Sequence, residues 1–305
     1  MTPLRLGYLY GIGAYLLWGF FPLYFKLLRP TGPLEILAHR IVWSVLFVAL
    51  LLGALRNIGF LRALLRRRGA VAGIVAAAAL IAVNWGTYIY GVSSDRVVET
   101  ALGYFINPLV VVLLGVTVLR ERLRTAQWVA LGVGAAAVAV LAVDYGRLPW
   151  LALTLAFSFA GYGLIKKRLG LPAAEGLFVE SAVLALPALG YLAWLSRNGG
   201  LTFGHVSAGH TALLVLAGVA TAIPLLLFAG AANRLPLTGL GMIQYLAPIL
   251  QLACGVLIFH EPMPPARIAG FALVWLALVV FTADAIRQAR RSRSTPHLPT
   301  PVPTP

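Results

Sequence analysis

The stretch PLVVVLLGVTVLRE at residues 108–121 recurs as PILQLACGVLIFHE at residues 248–261. Both copies follow the pattern Pro-x6-Gly-Val-x4-Glu. The same shift of 140 residues also aligns two pairs of charged residues, Lys26 with Lys166 and Glu35 with Glu175. Only 11% of the residues are charged, so these coincidences indicate that the chain contains one unit twice.

Long apolar runs fill most of the chain. Of its 305 residues 60% are hydrophobic, and the mean hydropathy is +0.90. A helix that crosses the hydrocarbon core needs about 20 mainly apolar residues, because its backbone groups must bond within the helix. Ten such runs are present, at 7–27, 35–55, 69–92, 98–119, 126–143, 148–166, 176–196, 208–232, 237–259 and 266–286. The sequence therefore predicts an all-α, polytopic membrane protein with ten transmembrane helices.

The two copies are predicted to have opposite orientations. Each holds five spans, an odd number, so the second unit enters the membrane from the other side. We assign the first five-helix repeat to residues 1–147, the second to 148–291, and a disordered Pro-rich cytoplasmic tail to 292–305. Inverted repeats are typical of secondary transporters, in which the substrate site lies near the midplane between the repeats.

Basic residues set the expected orientation. A formal net charge of +15 would suit a nucleic-acid partner, but most of the 24 Lys and Arg residues lie in short clusters between apolar runs. With the N-terminus inside, the clusters after the second, fourth, sixth and tenth spans all fall on the cytoplasmic side. We therefore expect a multi-pass protein of a bacterial-type inner (plasma) membrane with both termini cytoplasmic, in contact with lipid and with no nucleic acid.

Several strings combine polar and aromatic residues at fixed places, namely LLWGFFPLYFK (16–26), EILAHRIVWS (35–44), NWGTYIYGV (84–92), ETALGYFINPLVVVLLGVTVLRERL (99–123) and GMIQYLAPILQ (241–251). Together they resemble the RarD, or chloramphenicol-sensitivity, family in the EamA group of the drug/metabolite transporter superfamily, from about residue 7 to residue 286. The resemblance implies a ten-helix permease of the cytoplasmic membrane. The link to chloramphenicol in the family's name says little about a natural substrate.

Polar side chains inside the spans cost free energy, so they are candidates for a transport pathway. Asn84 suits either a substrate contact or an interhelical hydrogen bond. Trp85, Tyr88 and Tyr90 are expected to form an aromatic wall, with anchoring at the membrane interface as the alternative for Tyr90. Pro108 and Pro248 occupy equivalent repeat positions and predict paired kinks that act as gates. The side chains predicted to line the pathway are Trp18, Lys26, Arg40, Asn84, Trp85, Tyr88, Glu99, Tyr104, Asn107, Pro108, Tyr162, Lys166, Glu180, Gln244, Tyr245 and Pro248.

Charged residues near the membrane faces are predicted to pair. Arg40 and Glu99 each lie about one turn inside the outer face, so we expect Arg40 to pair with Glu99 or Glu35 and to line the outer mouth. Glu180 is the repeat counterpart of Arg40 and the best candidate for a proton-coupling carboxylate.

Four further charged residues have less specific expected roles. Lys26 and Lys166 suit either snorkelling to the interface or the pathway itself. Glu121 and Glu261 end their helices and are expected to pair with nearby arginines.

Small residues at four-residue spacing predict close helix packing. They are Gly7 and Gly11 in the first span, and Ala126, Ala130 and Gly134 in the fifth. A homodimer contact is the alternative interpretation.

The function class that fits best is a secondary-active exporter of a small metabolite or drug-like solute. The sequence has no GxxxxGK[ST], HExxH or GxSxG motif, so we expect neither ATP hydrolysis nor an enzyme, and no cofactor or metal. The single cysteine, Cys254, excludes an internal disulfide framework and is interpreted as a buried apolar residue. An intramembrane enzyme and a non-transporting membrane sensor or scaffold remain the alternatives.

Overall fold

The computed structural model describes residues 2–54, 64, 69–120 and 122–293, and within these ranges the chain is helical with no strand. The described helices follow one another as α1 (Pro3–Gly19), α2 (Phe21–Leu27), α3 (Pro33–Ala54), α4 (Ala70–Ser93), α5 (Val97–Leu119), α6 (Thr125–Tyr145), α7 (Trp150–Leu169), α8 (Ala173–Arg197), α9 (Ala208–Ala232), α10 (Leu237–Ile243), α11 (Leu246–Ala253), a π-helical turn (Cys254–Ile258) and α12 (Pro265–Arg293).

Local sequence signals explain several helix ends. The Thr2 hydroxyl accepts a hydrogen bond from the Arg5 backbone N–H at 3.4 Å, and Ser207 does the same for His210 at 3.1 Å. Such side chains satisfy backbone donors that the first turn leaves free. Helices α6 and α7 end at Gly146 and Gly170, whose φ angles of 63° and 64° favour glycine.

Among the described residues, seven single helices and the segment Gly239–Ile258, which includes α11 and the π-helical turn, are long and apolar enough to cross a membrane. The bent pair α1–α2 brings the number of such spans to nine. Large apolar side chains such as Leu50, Val143 and Leu186 are exposed on them, as expected for surfaces that face lipid. Helix α7 falls outside this set because Lys166 and Lys167 near its end lower its hydropathy. The structure therefore confirms a polytopic all-α membrane protein, while the count of ten spans stays a prediction.

Two of the predicted membrane runs contain breaks. The first bends by 41° between α1 and α2, next to Pro22. The ninth is interrupted at Gln244 and Tyr245, because Pro248 has no N–H to bond the carbonyl four residues earlier and its ring clashes with it. Helix α5 runs without a break through Pro108. Of the two predicted kinks, only the one at Pro248 is therefore present.

Three further sequence predictions concern Cys254, the C-terminal tail and charged residues between the helices. Cys254 is buried, as predicted. Helix α12 continues to Arg293, so residues 292–293 are helical rather than part of a disordered tail, and residues 294–305 lie outside the described residues. Glu121 and the arginines at 56, 62 and 66–68 also lie outside them.

The helices of the two halves pack mainly on each other. Helix α7 packs against α4 and α5, and α1 packs against α9 and α11. Three further contacts join α3 to α8, α6 to α12, and α5 to α11. The largest core lies where α5, α6, α7 and α12 meet, around Leu102, Phe105, Leu141 and Phe271. Neither half therefore forms a separate bundle.

Of the small residues predicted to allow close packing, Gly7, Gly11, Ala130 and Gly134 do so within the chain. A Cβ atom on Gly11 would lie 2.3 Å from the Ile243 side chain, and one on Gly134 would lie 2.5 Å from Leu109. Ala130 is fully buried. These contacts confirm close helix packing, and a homodimer contact stays an untested alternative.

Gly218 on α9 gives a direct test of this packing. A Cβ atom there would lie 2.3 Å from the Trp43 carbonyl carbon, which is backbone and cannot rotate away. We predict that Gly218→Ala destabilises the protein by about 1–3 kcal/mol, as overpacking does elsewhere, and lowers the melting temperature of the purified protein in detergent. Gly132→Ala is the matched control, since nothing lies within 4 Å of that position. Equal melting temperatures for both variants and the wild type would contradict the α3–α9 contact.

Candidate functional site

Arg40 lies inside the helix bundle with only 4% of its surface exposed. Its Nε donates a hydrogen bond to the Thr221 hydroxyl of α9 at 2.7 Å. The guanidinium carbon lies 4.1 Å from the centroid of the Trp85 ring, and 5.6 and 5.7 Å from those of Phe21 and Phe25. Cation–π contacts of this kind attract a cation to the ring face. Arg40 thus joins α2, α3 and α4 of the first half to α9 of the second.

The predicted pairing of Arg40 with Glu99 or Glu35 is wrong. Glu99 lies in the first turn of α5 and forms ion pairs with Arg96 at 2.6 Å and Arg147 at 3.0 Å. Arg147 lies between α6 and α7, so the Glu99 carboxylate faces the loops rather than α3. Among the described residues no carboxylate lies within 4.0 Å of Arg40.

Glu35 also has other partners. Its carboxylate accepts hydrogen bonds from the Thr202 backbone N–H and hydroxyl at 2.8 and 2.9 Å, and from the Phe203 N–H at 3.3 Å. His39 lies 3.8 Å away on the next turn of α3. Glu35 therefore ties the loop after α8 to the start of α3.

Asn84 uses its amide to connect three helices. Its Nδ2 donates to the Leu155 carbonyl at 3.0 Å and to the Ser158 hydroxyl at 3.1 Å, while its Oδ1 accepts from the Tyr104 hydroxyl at 3.3 Å. Only 1% of Asn84 is exposed. Of the two interpretations, the interhelical one describes this conformation.

Tyrosines surround the Arg40 site. The Tyr88 ring packs edge-on against Phe25 and Tyr104, at centroid distances of 6.0 and 5.7 Å. The buried Tyr88 hydroxyl has no hydrogen-bond partner among the described residues. The Tyr24 hydroxyl donates to the Leu213 carbonyl at 2.6 Å. Trp85 and Tyr88 thus contribute to an aromatic wall, as their sequence positions suggested.

A second charged cluster lies between α7 and α8. Lys166 donates to one oxygen of Glu180 at 2.7 Å, and the Tyr162 hydroxyl donates to the other at 3.0 Å. Glu180 is only 2% exposed. The repeat counterpart of Lys166, Lys26, forms an ion pair with Asp95. Both lysines therefore bind a carboxylate, Lys26 an exposed one in the loop after α4 and Lys166 a buried one on α8.

The remaining predicted pathway residues lie along the same helices. The Trp18 carbonyl accepts from Gln251 at 3.1 Å, which joins α1 to α11, and Asn107 donates to the Ala156 carbonyl at 3.1 Å, which joins α5 to α7. Four residues complete the set. Pro108 lies inside α5, Gln244 and Tyr245 lie at the break between α10 and α11, and Pro248 lies in α11.

Glu261 binds the N-terminus of α5. Its two carboxylate oxygens accept hydrogen bonds from the backbone N–H groups of Val97 and Val98, at 2.5 and 2.8 Å. Phe259 beside it faces the Lys26 ammonium at 5.1 Å. Burial raises the pKa of the Glu261 carboxyl, and the two backbone donors oppose that shift. The expected pairing of Glu261 with arginine is thus replaced by a helix cap that joins the two halves.

Sequence reasoning missed Thr221, Tyr24 and the capping role of Glu261. A single threonine in an apolar helix carries no signal of its partner, and Tyr24 resembles an interfacial tyrosine. A glutamate is a common cap of a helix N-terminus, but the helix that Glu261 caps, α5, is distant from it in sequence. No local pattern therefore indicated this role.

Comparisons with known proteins agree with this architecture. The profile of the EamA-like transporter family matches residues 5–143 and 148–283. A protein named RarD from Streptomyces exfoliatus is 57% identical over 95% of this chain and 92% of its own length. An uncharacterized transporter named YojE from Bacillus subtilis is 44% identical over 94% of this chain and 97% of its own, and the RarD protein of Escherichia coli is 38% identical over the same shares.

Solved structures share this fold, and one crystal structure illustrates the likeness. It superposes with a TM-score of 0.57 over 90% of this chain and 96% of its own length, at 21% sequence identity. At that identity the comparison shows the fold alone.

Asn84 allows a test of the hydrogen bonds at the site. Because its amide is buried and bonded to α5 and α7, we predict that Asn84→Leu costs about 1–2 kcal/mol of stability and lowers the melting temperature of the purified protein. Ser158→Ala should cost less, and the double variant should show coupling between the two positions. Wild-type melting of Asn84→Leu would contradict this structural role.

Proposed function

The chain belongs to the EamA-like transporter family, and from that premise we propose that it is a secondary-active transporter of a small metabolite or drug-like solute. It acts by alternating access in the bacterial cytoplasmic membrane. The observation that carries the proposal is a buried, charged and aromatic site built from both halves of the chain, around Arg40, Trp85 and Thr221. Transport rather than catalysis also fits relatives that are named transporters.

Inverted repeats explain the pattern of helix packing. A shift of 140 residues maps α1–α2 onto α7, α3 onto α8, α4 onto α9, α5 onto the α10–α11 segment, and α6 onto α12. Under this exchange the contacts of α7 with α4 and α5 become those of α1 with α9 and α11, and the α3–α8, α6–α12 and α5–α11 contacts map onto themselves. Two units related by a two-fold axis in the membrane plane have this pattern.

Helix α7 completes the proposed set of ten spans. Its residues Leu151, Ala152, Leu155 and Ala156 are fully buried against other helices. Because its surroundings are largely protein, it needs less hydropathy than a helix in contact with lipid. With α7 counted, both termini lie on the cytoplasmic side, where the basic clusters gather.

The two ends of the bundle are packed differently. Near Glu261, α2 packs against α4, and the π-helical turn packs against the start of α5. No comparable packing joins α7 to α9 or α10 to α5, their repeat counterparts, in the part of the chain that the structure describes. We infer a closed outer mouth and a looser inner one. We propose export as the direction of net flux, which the gradients of the solute and of any coupling ion determine.

A reconstituted system tests transport without knowledge of the solute. Liposomes with purified protein and protein-free liposomes are incubated with a small-molecule extract of the producing cells, with and without a pH gradient, and their contents are compared by mass spectrometry. We expect at least one solute to enter only the protein-containing liposomes. No protein-dependent solute under either condition would contradict the proposal.

Glu261 is predicted to hold the outer mouth closed. In a Cys254→Ala background, a cysteine at Val98, which lies against Gly255, should react slowly with a membrane-impermeant maleimide in intact cells. A charge-assisted hydrogen bond contributes about 1.5–3 kcal/mol, so Glu261→Ala should raise the labelling rate by on the order of tenfold.

The matched control for that experiment is Asn198→Ala, a change in a loop on the same proposed face. It should leave the Val98 labelling rate unchanged. If Glu261→Ala also leaves it unchanged, Glu261 does not hold the outer mouth closed.

Glu180 is the proposed proton-exchange residue, because it is a buried carboxylate at the position equivalent to Arg40. Once a solute is identified, Glu180→Gln should abolish its accumulation under a pH gradient yet retain exchange of labelled for unlabelled solute. Glu175→Gln, a change of the other carboxylate on α8, is the control. Gradient-driven accumulation by Glu180→Gln at the wild-type level would remove Glu180 from coupling.

A further inference from the structure

The guanidinium of Arg40 has N–H donors for which the described part of the chain holds no acceptor. It carries five N–H groups, of which only the Nε–H donates to a described residue, the Thr221 hydroxyl. The four N–H groups of the two terminal amines have no partner among the described residues. The aromatic contacts offset only part of the cost of holding this cation inside the bundle, so the free donors favour a partner that the described residues do not supply.

The other buried charges of the described ranges are satisfied. Glu35 accepts three hydrogen bonds from the loop after α8, Glu99 has two arginine partners, and Glu180 has Lys166 and Tyr162. Arg40 is the one arginine or lysine among the buried residues of the described ranges. A positive charge is therefore held inside the bundle with no carboxylate of the described chain to neutralise it.

A second donor shares an aromatic neighbour, Phe25, with Arg40. Tyr88 is only 3% exposed, its hydroxyl has no partner among the described residues, and its ring packs against Phe25, which itself contacts the Arg40 guanidinium. A phenol hydroxyl and a guanidinium can both donate to a single carboxylate. The surrounding surfaces are aromatic rings, Trp85 at 4.1 Å among them, and such surfaces bind flat apolar groups.

We propose that Arg40 and Tyr88 bind the carboxylate of an aromatic monocarboxylate, and that this is the class of solute the protein carries. The inference rests on the proposed function and names its substrate. A single negative charge matches the single positive charge of Arg40, so the complex is neutral within a low-dielectric interior. A phosphate dianion would leave one charge uncompensated and is therefore disfavoured.

Binding is measured directly on the full-length protein in nanodiscs, by thermal melting with three acids and their neutral amides. The probes are benzoate, phenylacetate and indole-3-acetate, with benzamide, phenylacetamide and indole-3-acetamide as controls of the same shape. A ligand that binds only the folded state raises the melting temperature. We expect at least one acid to do so at millimolar concentration, with an affinity at least tenfold above that of its amide.

Variants assign that effect to the two donors. Arg40→Gln should abolish the shift caused by the acid, and Arg40→Lys should retain part of it. Tyr88→Phe keeps the ring and should weaken acid binding several-fold without loss of thermal stability. It therefore remains informative if the Arg40 variants do not accumulate in the membrane.

Three outcomes would overturn the inference: no acid raises the melting temperature, acids and amides act equally, or acids bind Arg40→Gln and Tyr88→Phe as well as the wild type. None of these affects the extract-uptake experiment, which tests transport itself. Failure of the substrate class is thus distinguishable from failure of the proposed function.

Discussion

A cation buried between the halves of the chain is the interaction on which the rest of the site depends. Arg40 comes from the first half, its hydroxyl partner Thr221 from the second, and its nearest ring, Trp85, from the first. The contact fixes α3 against α4 and α9 at a place where Gly218 allows the backbones to approach closely. Because the guanidinium cannot lose its charge readily, the site keeps a positive potential in every conformation that leaves Arg40 inside.

The remaining ionic contacts lie toward the two ends of the bundle. At one end Glu261 binds the first N–H groups of α5, and Lys26 with Asp95 lies beside it. Toward the other end Lys166 and Tyr162 hold Glu180 between α7 and α8. Lys26 and Lys166 are equivalent in sequence, but their partners are not, because the position equivalent to Asp95 is Leu235 and the position equivalent to Glu180 is Arg40.

Much of the fold could be predicted from the sequence, because apolar run length reports directly on the membrane. Gly11, Ala130 and Gly134 marked close packing correctly, and Asn84 had an interhelical hydrogen bond among its two interpretations. The ion pairs could not be predicted. Arg40 and Glu99 lie at similar depths, but depth says nothing about the direction in which a side chain leaves its helix. No sequence pattern indicates that Lys166 pairs with Glu180, although the hairpin of α7 and α8 brings them to 2.7 Å.

The central claim is that two equivalent units cross the membrane in opposite orientations and share the Arg40 site. Single cysteines at Ser94 and at its repeat counterpart Arg234, in a Cys254→Ala background, test it most directly. The account predicts that Ser94→Cys reacts with a membrane-impermeant maleimide in intact cells, whereas Arg234→Cys reacts only after permeabilisation. Reaction of both cysteines from the same side would contradict the account.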